Sequence, residues 1–277
     1  MRSFIFFIFL ITISSSCTKN ELDNLKLKSP SKSYDLVIEG GINTLHQIQY
    51  IRLSSPTFDD HTVPEPVNDA KVIVNDGKMD VEFKNISNTG VYSGIVVNNA
   101  NYNGAYKLKV IYKNKEYTAV DTLRQVINII DDFLPFKSFK QVNNTIHLTI
   151  PKHTFGFLNP SKWLIAYEGI PLWNPSKFDS SNYSYTHTQG SPNSIYPLIY
   201  QVREADLKPN DFLFIYKFSL SDEYAKYLYS VFQETDWKGI FSSVPSEIKG
   251  NISEGAVGFF YTLDVDLRRY RAGDLIN

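Results

Sequence analysis

The sequence predicts a mainly β protein: an immunoglobulin-like β-sandwich over residues 34–121, then a second β-rich domain over residues 122–277 with one packed helix. Three observations lead there. Aromatic residues are abundant, with 18 Tyr and 19 Phe among 277 residues, an enrichment that suits strands. From Tyr34 to Asp121 short runs alternate and are separated by turn residues, with no helical period between them. Beyond Thr122 the strand-like runs continue, and a single stretch near residues 221–234 carries a helical apolar stripe.

The elements follow in order. LVIEGGIN opens the first domain. In QIQYIRLSS, Ile48, Tyr50 and Arg52 fall on one face and Gln49, Ile51 and Leu53 on the other. SSPTFDDHTVPEPVN, Ser54 to Asn68, contains Pro56, Pro64 and Pro66, which resist a strand ladder. It reads as a crossover. Asp59, Asp60 and His61 within it are too few to define a metal site, and no metal is expected. AKVIVNDGKMDVEF turns at Asp76-Gly77, a pair that favours positive φ in a hairpin. GVYSGIVV follows. In AYKLKVIYKNKEYTAVD, Tyr106, Leu108, Val110 and Tyr112 alternate with lysines, and a hairpin turns at Asn114.

In the second domain QVINIIDDF, TIHLTIP, KWLIAYEGIP, LIYQVREADL and DFLFIYKFSL read as strands. Leu172 to Pro197 is polar and reads as a long loop, and loops longer than about 12–15 residues are often functional. Its aromatics Trp173, Phe178, Tyr183, Tyr185 and Tyr196 sit among Ser, Asn, Gly and Pro. They are the candidate ligand or partner contacts, because amphipathic rings favour interfaces and stack on sugars; the bland alternative is that they fold back into the sandwich. Ser221 can cap the helix SDEYAKYLYSVFQETD, and Asp222 and Glu223 suit the positive end of its dipole. Tyr224, Leu228, Val231 and Phe232 form its apolar stripe. AVGFFYTLDVDL reads as one final strand.

The N-terminus supplies an address. Arg2, the apolar run Phe4 to Ile13, and Ser14 to Ser16 are laid out as a secretory signal over residues 1–16. The run covers about 15 Å as a helix, too short to span a bilayer, which needs about 20 apolar residues. Cys17 is the only cysteine in the chain. An unpaired thiol is a liability in an oxidising compartment. Its position matches the acylated cysteine of bacterial lipoproteins, with Ser14 where the usual motif has Leu. Residues 17–33 are polar and read as a flexible tether, with a reach of about 20–25 Å.

Charge and motifs exclude some functions. Lys plus Arg number 28 against 29 acidic residues, so no strong field attracts nucleic acid. The five histidines are scattered, and no metalloprotease, nucleophile-elbow or phosphate-loop spacing occurs. A non-enzyme without cofactor is the expectation.

DLKPNDFLFIYKFSLSDEYAKYLYSV, FSSVPSEIKGNISEGAVGFF, VIEGGIN, IRLSSPTFDD and PVNDAKVIVNDG occur in an order that resembles the uncharacterised bacterial lipoprotein family catalogued as domain of unknown function 4249. The resemblance covers nearly the whole mature chain. It implies an exported lipoprotein of the outer membrane, on its periplasmic or cell-surface side, with a β-sandwich front domain. It also implies a TonB-dependent receptor as partner in nutrient uptake; the exposed aromatics of residues 172–197 make a glycan or peptide the expected ligand. A structural or adhesion role without transport is the alternative. Asp121-Thr122-Leu123 resembles an O-glycosylation acceptor of such proteins, which makes Thr122 a candidate attachment site.

Overall fold

A computed structural model describes residues 33–57, 62–155, 160–178, 184–189, 202–235 and 248–276. The signal, Cys17 and the tether as far as residue 32 lie outside these residues, as do Asp59, Asp60 and His61. The described chain is mainly β, with a single long helix.

The first sheet has eight strands: β1 (Leu36–Asn43), β2 (Ile48–Ser54), β3 (Lys71–Asn75), β4 (Asp80–Asn85), β5 (Val91–Ile95), β6 (Ala105–Tyr112), β7 (Lys115–Thr122) and β15 (Ala256–Leu263), in the order β15-β1-β2-β5-β4-β3-β6-β7. The turn chemistry read from the sequence holds. Gly77 takes φ +89° between β3 and β4, and Lys113 and Asn114 take φ +49° and +61° in the two-residue turn between β6 and β7, the paired positive φ of a type I′ hairpin. Residues 34–121 supply seven of the strands, and β15 from the C-terminal part supplies the eighth. It runs parallel to β1 with Phe260 opposite Gly40.

The two edges of this sheet meet, and the sheet nearly closes into a barrel. Asn251 closes the seam: its amide nitrogen donates to the carbonyls of Val120 (3.0 Å) and Phe260 (2.7 Å), while its amide oxygen accepts the Phe260 N–H at 2.9 Å. Asp121 of β7 accepts the Thr262 N–H (2.7 Å) and hydroxyl (3.0 Å) of β15. Edge groups that would otherwise template aggregation are thereby paired. Inside, Leu36, Ile38, Ile51, Tyr106, Tyr117 and Phe260 belong to one buried core.

A five-stranded sheet contains β10 (His153–Phe155), β11 (Ser161–Ala166), β12 (Ser184–Gln189), β14 (Phe212–Ser219) and β16 (Val265–Arg271), in the order β10-β12-β11-β14-β16. A three-stranded sheet contains β8 (Ser138–Val142), β9 (Thr145–Pro151) and β13 (Val202–Leu207), in the order β13-β9-β8. Trp163, Ile165 and Ile215 of the former pack with Ile146, Leu148 and Ile150 of the latter. The opposite face of the five-stranded sheet, with Leu164, Tyr216 and Phe218, packs with Phe259 and Leu263 of β15 and with the helix α1 (Asp222–Thr235). Ser221 caps α1 as expected, its hydroxyl accepting the Tyr224 N–H at 3.1 Å.

Three expectations change. AVGFFYTLDVDL is two strands, not one: β15 and β16 belong to different sheets, and Asp264 between them changes the chain's direction of pairing. QVINIIDDF is not a strand. It has no ladder partner; its Val126 and Ile129 N–H groups are taken by the carboxylates of Asp264 (2.8 Å) and Asp266 (2.7 Å), and Asp131–Phe133 is a 3₁₀ turn. The stretch 172–197 is not loop throughout, since β12 lies within it and pairs with β11. β8 and β10 went unread in the sequence because both are short, and β8 is little buried.

Candidate functional site

The site begins at the turn between β1 and β2. Gln49 is fully buried and its side chain ties the turn together: its amide oxygen accepts the Asn43 N–H at 2.9 Å, and its amide nitrogen donates to the Asn43 carbonyl at 2.8 Å and to the His46 carbonyl. Asn99 donates to the carbonyls of Asn43 and His46 at 3.1 and 2.9 Å. The Thr44 hydroxyl donates to Asp264 at 2.7 Å. A turn fixed from three sides holds Leu45 against the buried cluster that includes Phe218 and leaves His46 and Gln47 exposed.

Trp173 arrives from the other direction. After β11 the chain turns at Gly169, φ +81°, where the Ile170 N–H reaches the Tyr167 carbonyl at 2.8 Å. Trp173 then lies edge-on to Phe218 (4.9 Å, 76°) and Tyr216 (6.0 Å, 65°) and tilted against His46 (6.0 Å, 37°). Perpendicular ring pairs are the favoured aromatic geometry. The Asn174 side chain accepts the Ser176 N–H at 2.9 Å and fixes the turn that follows. Between the two turns opens a cleft of about 640 Å³, whose walls include His46, Ile48, Tyr50, Leu172 and Trp173. The volume is that of a small-ligand site. Leu172 is 52% exposed and Ile48 47%, so apolar surface is presented to solvent at its rim.

A second cleft, about 400 Å³, lies farther along β2. Glu39, Arg52, Ser54, Pro56 and Pro64 line it. Arg52 and Glu39 form a loose ion pair at 3.8 Å, worth little in solvent. In β1, Gly41 leaves no room for a side chain, because a Cβ there would run into the Tyr261 carbonyl and stand 2.7 Å from its ring. Burial, helped by the nearby Glu39 charge, pushes the Tyr261 phenol well above its usual range, so it stays neutral.

Of the residues singled out in the sequence, Trp173 is at the larger cleft, half-buried: it both packs on the sheet and walls the opening. Phe178 is half-buried. Tyr185 is described in backbone only, in β12 opposite Leu164. Tyr183 and Tyr196 lie outside the described residues. Thr122 ends β7 opposite Ala105, half-buried, between buried Asp121 and Leu123. His46, Tyr50, Leu172 and Asn174 were missed. The outward row Ile48, Tyr50, Arg52 was legible as alternation, but its meeting with Trp173, over a hundred residues away in sequence, was not. Among the described residues no group of three or more His, Cys, Asp or Glu is gathered as a metal centre. No family model matches the chain, and no curated protein resembles it closely enough to count as a relative.

Proposed function

We propose that the chain is a recognition protein anchored to the outer membrane through lipid on Cys17, serving nutrient uptake as an accessory to a TonB-dependent receptor. The observation that carries the recognition role is the cleft walled by Trp173, a ring held rigid by Phe218 and Tyr216 with exposed Leu172 and Ile48 at its rim. Rigid aromatic anchors beside apolar surface are what binding sites use. The anchor, the receptor partnership and the glycan on Thr122 rest on the signal-like N-terminus and on the resemblance to the lipoprotein family catalogued as domain of unknown function 4249. The reading of the N-terminal part as an immunoglobulin-like sandwich rests on its short alternating strands and hairpin turns.

The alternative, a structural or adhesion lipoprotein, draws support from the sheets being joined by buried polar contacts around Asp264, as in a stiff spacer. A mild-detergent pull-down of the tagged protein from native membranes decides between them, with Cys17→Ala in parallel. The accessory reading expects a TonB-dependent receptor with the wild type and loss of membrane association in Cys17→Ala. Recovery of the protein alone favours the structural role, and a membrane-bound Cys17→Ala form rules out the lipid anchor.

A further inference from the structure

We propose that the outward face of β2 is the floor of a single groove for a neutral oligosaccharide, running from the Trp173 cleft to the Arg52 cleft. The proposal rests on the recognition role above and names its ligand class.

The two clefts share one strand. Ile48 and Tyr50 line the larger, and Arg52 and Ser54 the smaller. Alternate residues of a strand point to the same side, so these four stand in a row. Six residue steps at about 3.3 Å give a floor about 20 Å long, room for several pyranose rings end to end. Ile95 of β5, opposite Ile48 and 62% exposed, continues the apolar surface sideways.

The lining selects against charge. Among the described residues that line it, the fixed charges are Arg52 and Glu39, which offset each other across 3.8 Å. This pair by itself leaves no net charge to favour an anionic or cationic ligand. The other polar groups include the amides of Gln47 and Asn174 and the imidazole of His46 in the larger cleft, and the hydroxyls of Ser55 and Thr57 in the smaller. Sugar hydroxyls both donate and accept, so amides, hydroxyls, a guanidinium and a carboxylate can all satisfy them. The apolar C–H face of a pyranose matches the aromatic and aliphatic floor.

A polypeptide fits less well. β2 lies between β1 and β5, so it offers no free edge for strand addition. A peptide laid along the floor would carry its own N–H and C=O groups over Ile48, Tyr50 and Leu172, and polar groups buried on apolar surface without partners are costly.

The test is titration calorimetry on the full-length chain in a sugar-free zwitterionic detergent. The probes are cellohexaose, maltohexaose, xylohexaose and chitohexaose, the matching disaccharides, and a tryptic digest of casein as the peptide probe. At least one hexasaccharide is expected to bind, and its disaccharide about tenfold more weakly, because preorganised contacts accumulate along the groove. Trp173→Ala weakens both ligands. Ile48→Ser does the same without disturbing the Trp173 packing, so a misfolded Trp173 variant does not decide the matter. Arg52→Met weakens the hexasaccharide and leaves the disaccharide unchanged. The proposal is overturned if no hexasaccharide binds, if casein peptides bind at Trp173 in their place, or if Arg52→Met has no effect on the hexasaccharide. A receptor that still co-purifies when no sugar binds would sink the ligand class and spare the accessory role; sugar binding without a receptor would do the reverse.

Discussion

Asp121 shows how one residue can serve packing and electrostatics at once. It is 4% exposed, and its carboxylate accepts the Thr262 N–H and hydroxyl as well as the Ser221 hydroxyl. Burial still outweighs these donors and raises its pKa above the ordinary 3.8. A raised folded-state value means that the native state holds the proton longer than the unfolded chain. This group's contribution to stability is therefore complete below about pH 4 and is lost as pH rises through the folded value. Asp121→Asn cannot titrate. The melting temperature of Asp121→Asn relative to wild type is expected to rise between pH 3.5 and pH 7, a shift on the order of a few degrees per kcal/mol. Parallel thermal melts check it, and a pH-independent difference would contradict the account. Lys217 is a second buried charge, 6% exposed with its ammonium over the Trp163 ring at 4.8 Å; burial draws its pKa down. Lys217→Met is expected to keep or gain stability at neutral pH by on the order of 1 kcal/mol, read by urea denaturation.

At the scale of elements, the helix and the strands are coupled through single side chains. The Ser221 hydroxyl accepts the Tyr224 N–H at 3.1 Å and donates to Asp121, so the N-cap of α1 is also a tie to β7. Ser221→Ala removes a cap worth about 1 kcal/mol and leaves Asp121 short of a donor. A loss of about 2 kcal/mol by chemical denaturation is expected, larger than a solvent-exposed cap would give. The helix then lies over β15, with Tyr224 at 4.8 Å from Phe259 and 5.1 Å from Tyr261. The cap, the acidic first turn and the apolar stripe were all legible in the sequence, because each depends only on neighbours within a turn or two. The break at Asp264 was not. Apolar residues continue on both sides of it, and the exchange of partners from β1 to β14 depends on strands that lie far away in the chain.

For the whole molecule, Asp264 is the joint between the sheets. It is 5% exposed. Its carboxylate accepts the Thr44 hydroxyl at 2.7 Å, the Tyr102 hydroxyl at 3.2 Å and the Val126 N–H at 2.8 Å, while its own N–H donates to Ser219 at 2.8 Å. These partners come from the β1–β2 turn, the β5–β6 connection, the segment after β7 and the end of β14. Asp264→Ala orphans the buried Val126 N–H and the half-buried Thr44 hydroxyl at once and is expected to cost on the order of 3 kcal/mol. The same turn carries His46 and Leu45 to the Trp173 cleft, so the variant should also weaken any ligand held there. Calorimetric melting together with the sugar titration measures both effects. The sequence by itself determined the β class, the hairpin turns at Gly77 and Asn114, the helix with its cap, and the two faces of β2, since alternation, φ preference and capping are local properties of the chain. Only the tertiary structure decided that β15 joins β1, that the first sheet nearly closes, and that Trp173 stands beside His46, Ile48 and Tyr50, because each is a contact between segments more than a hundred residues apart whose pairing is set by the burial of the whole core.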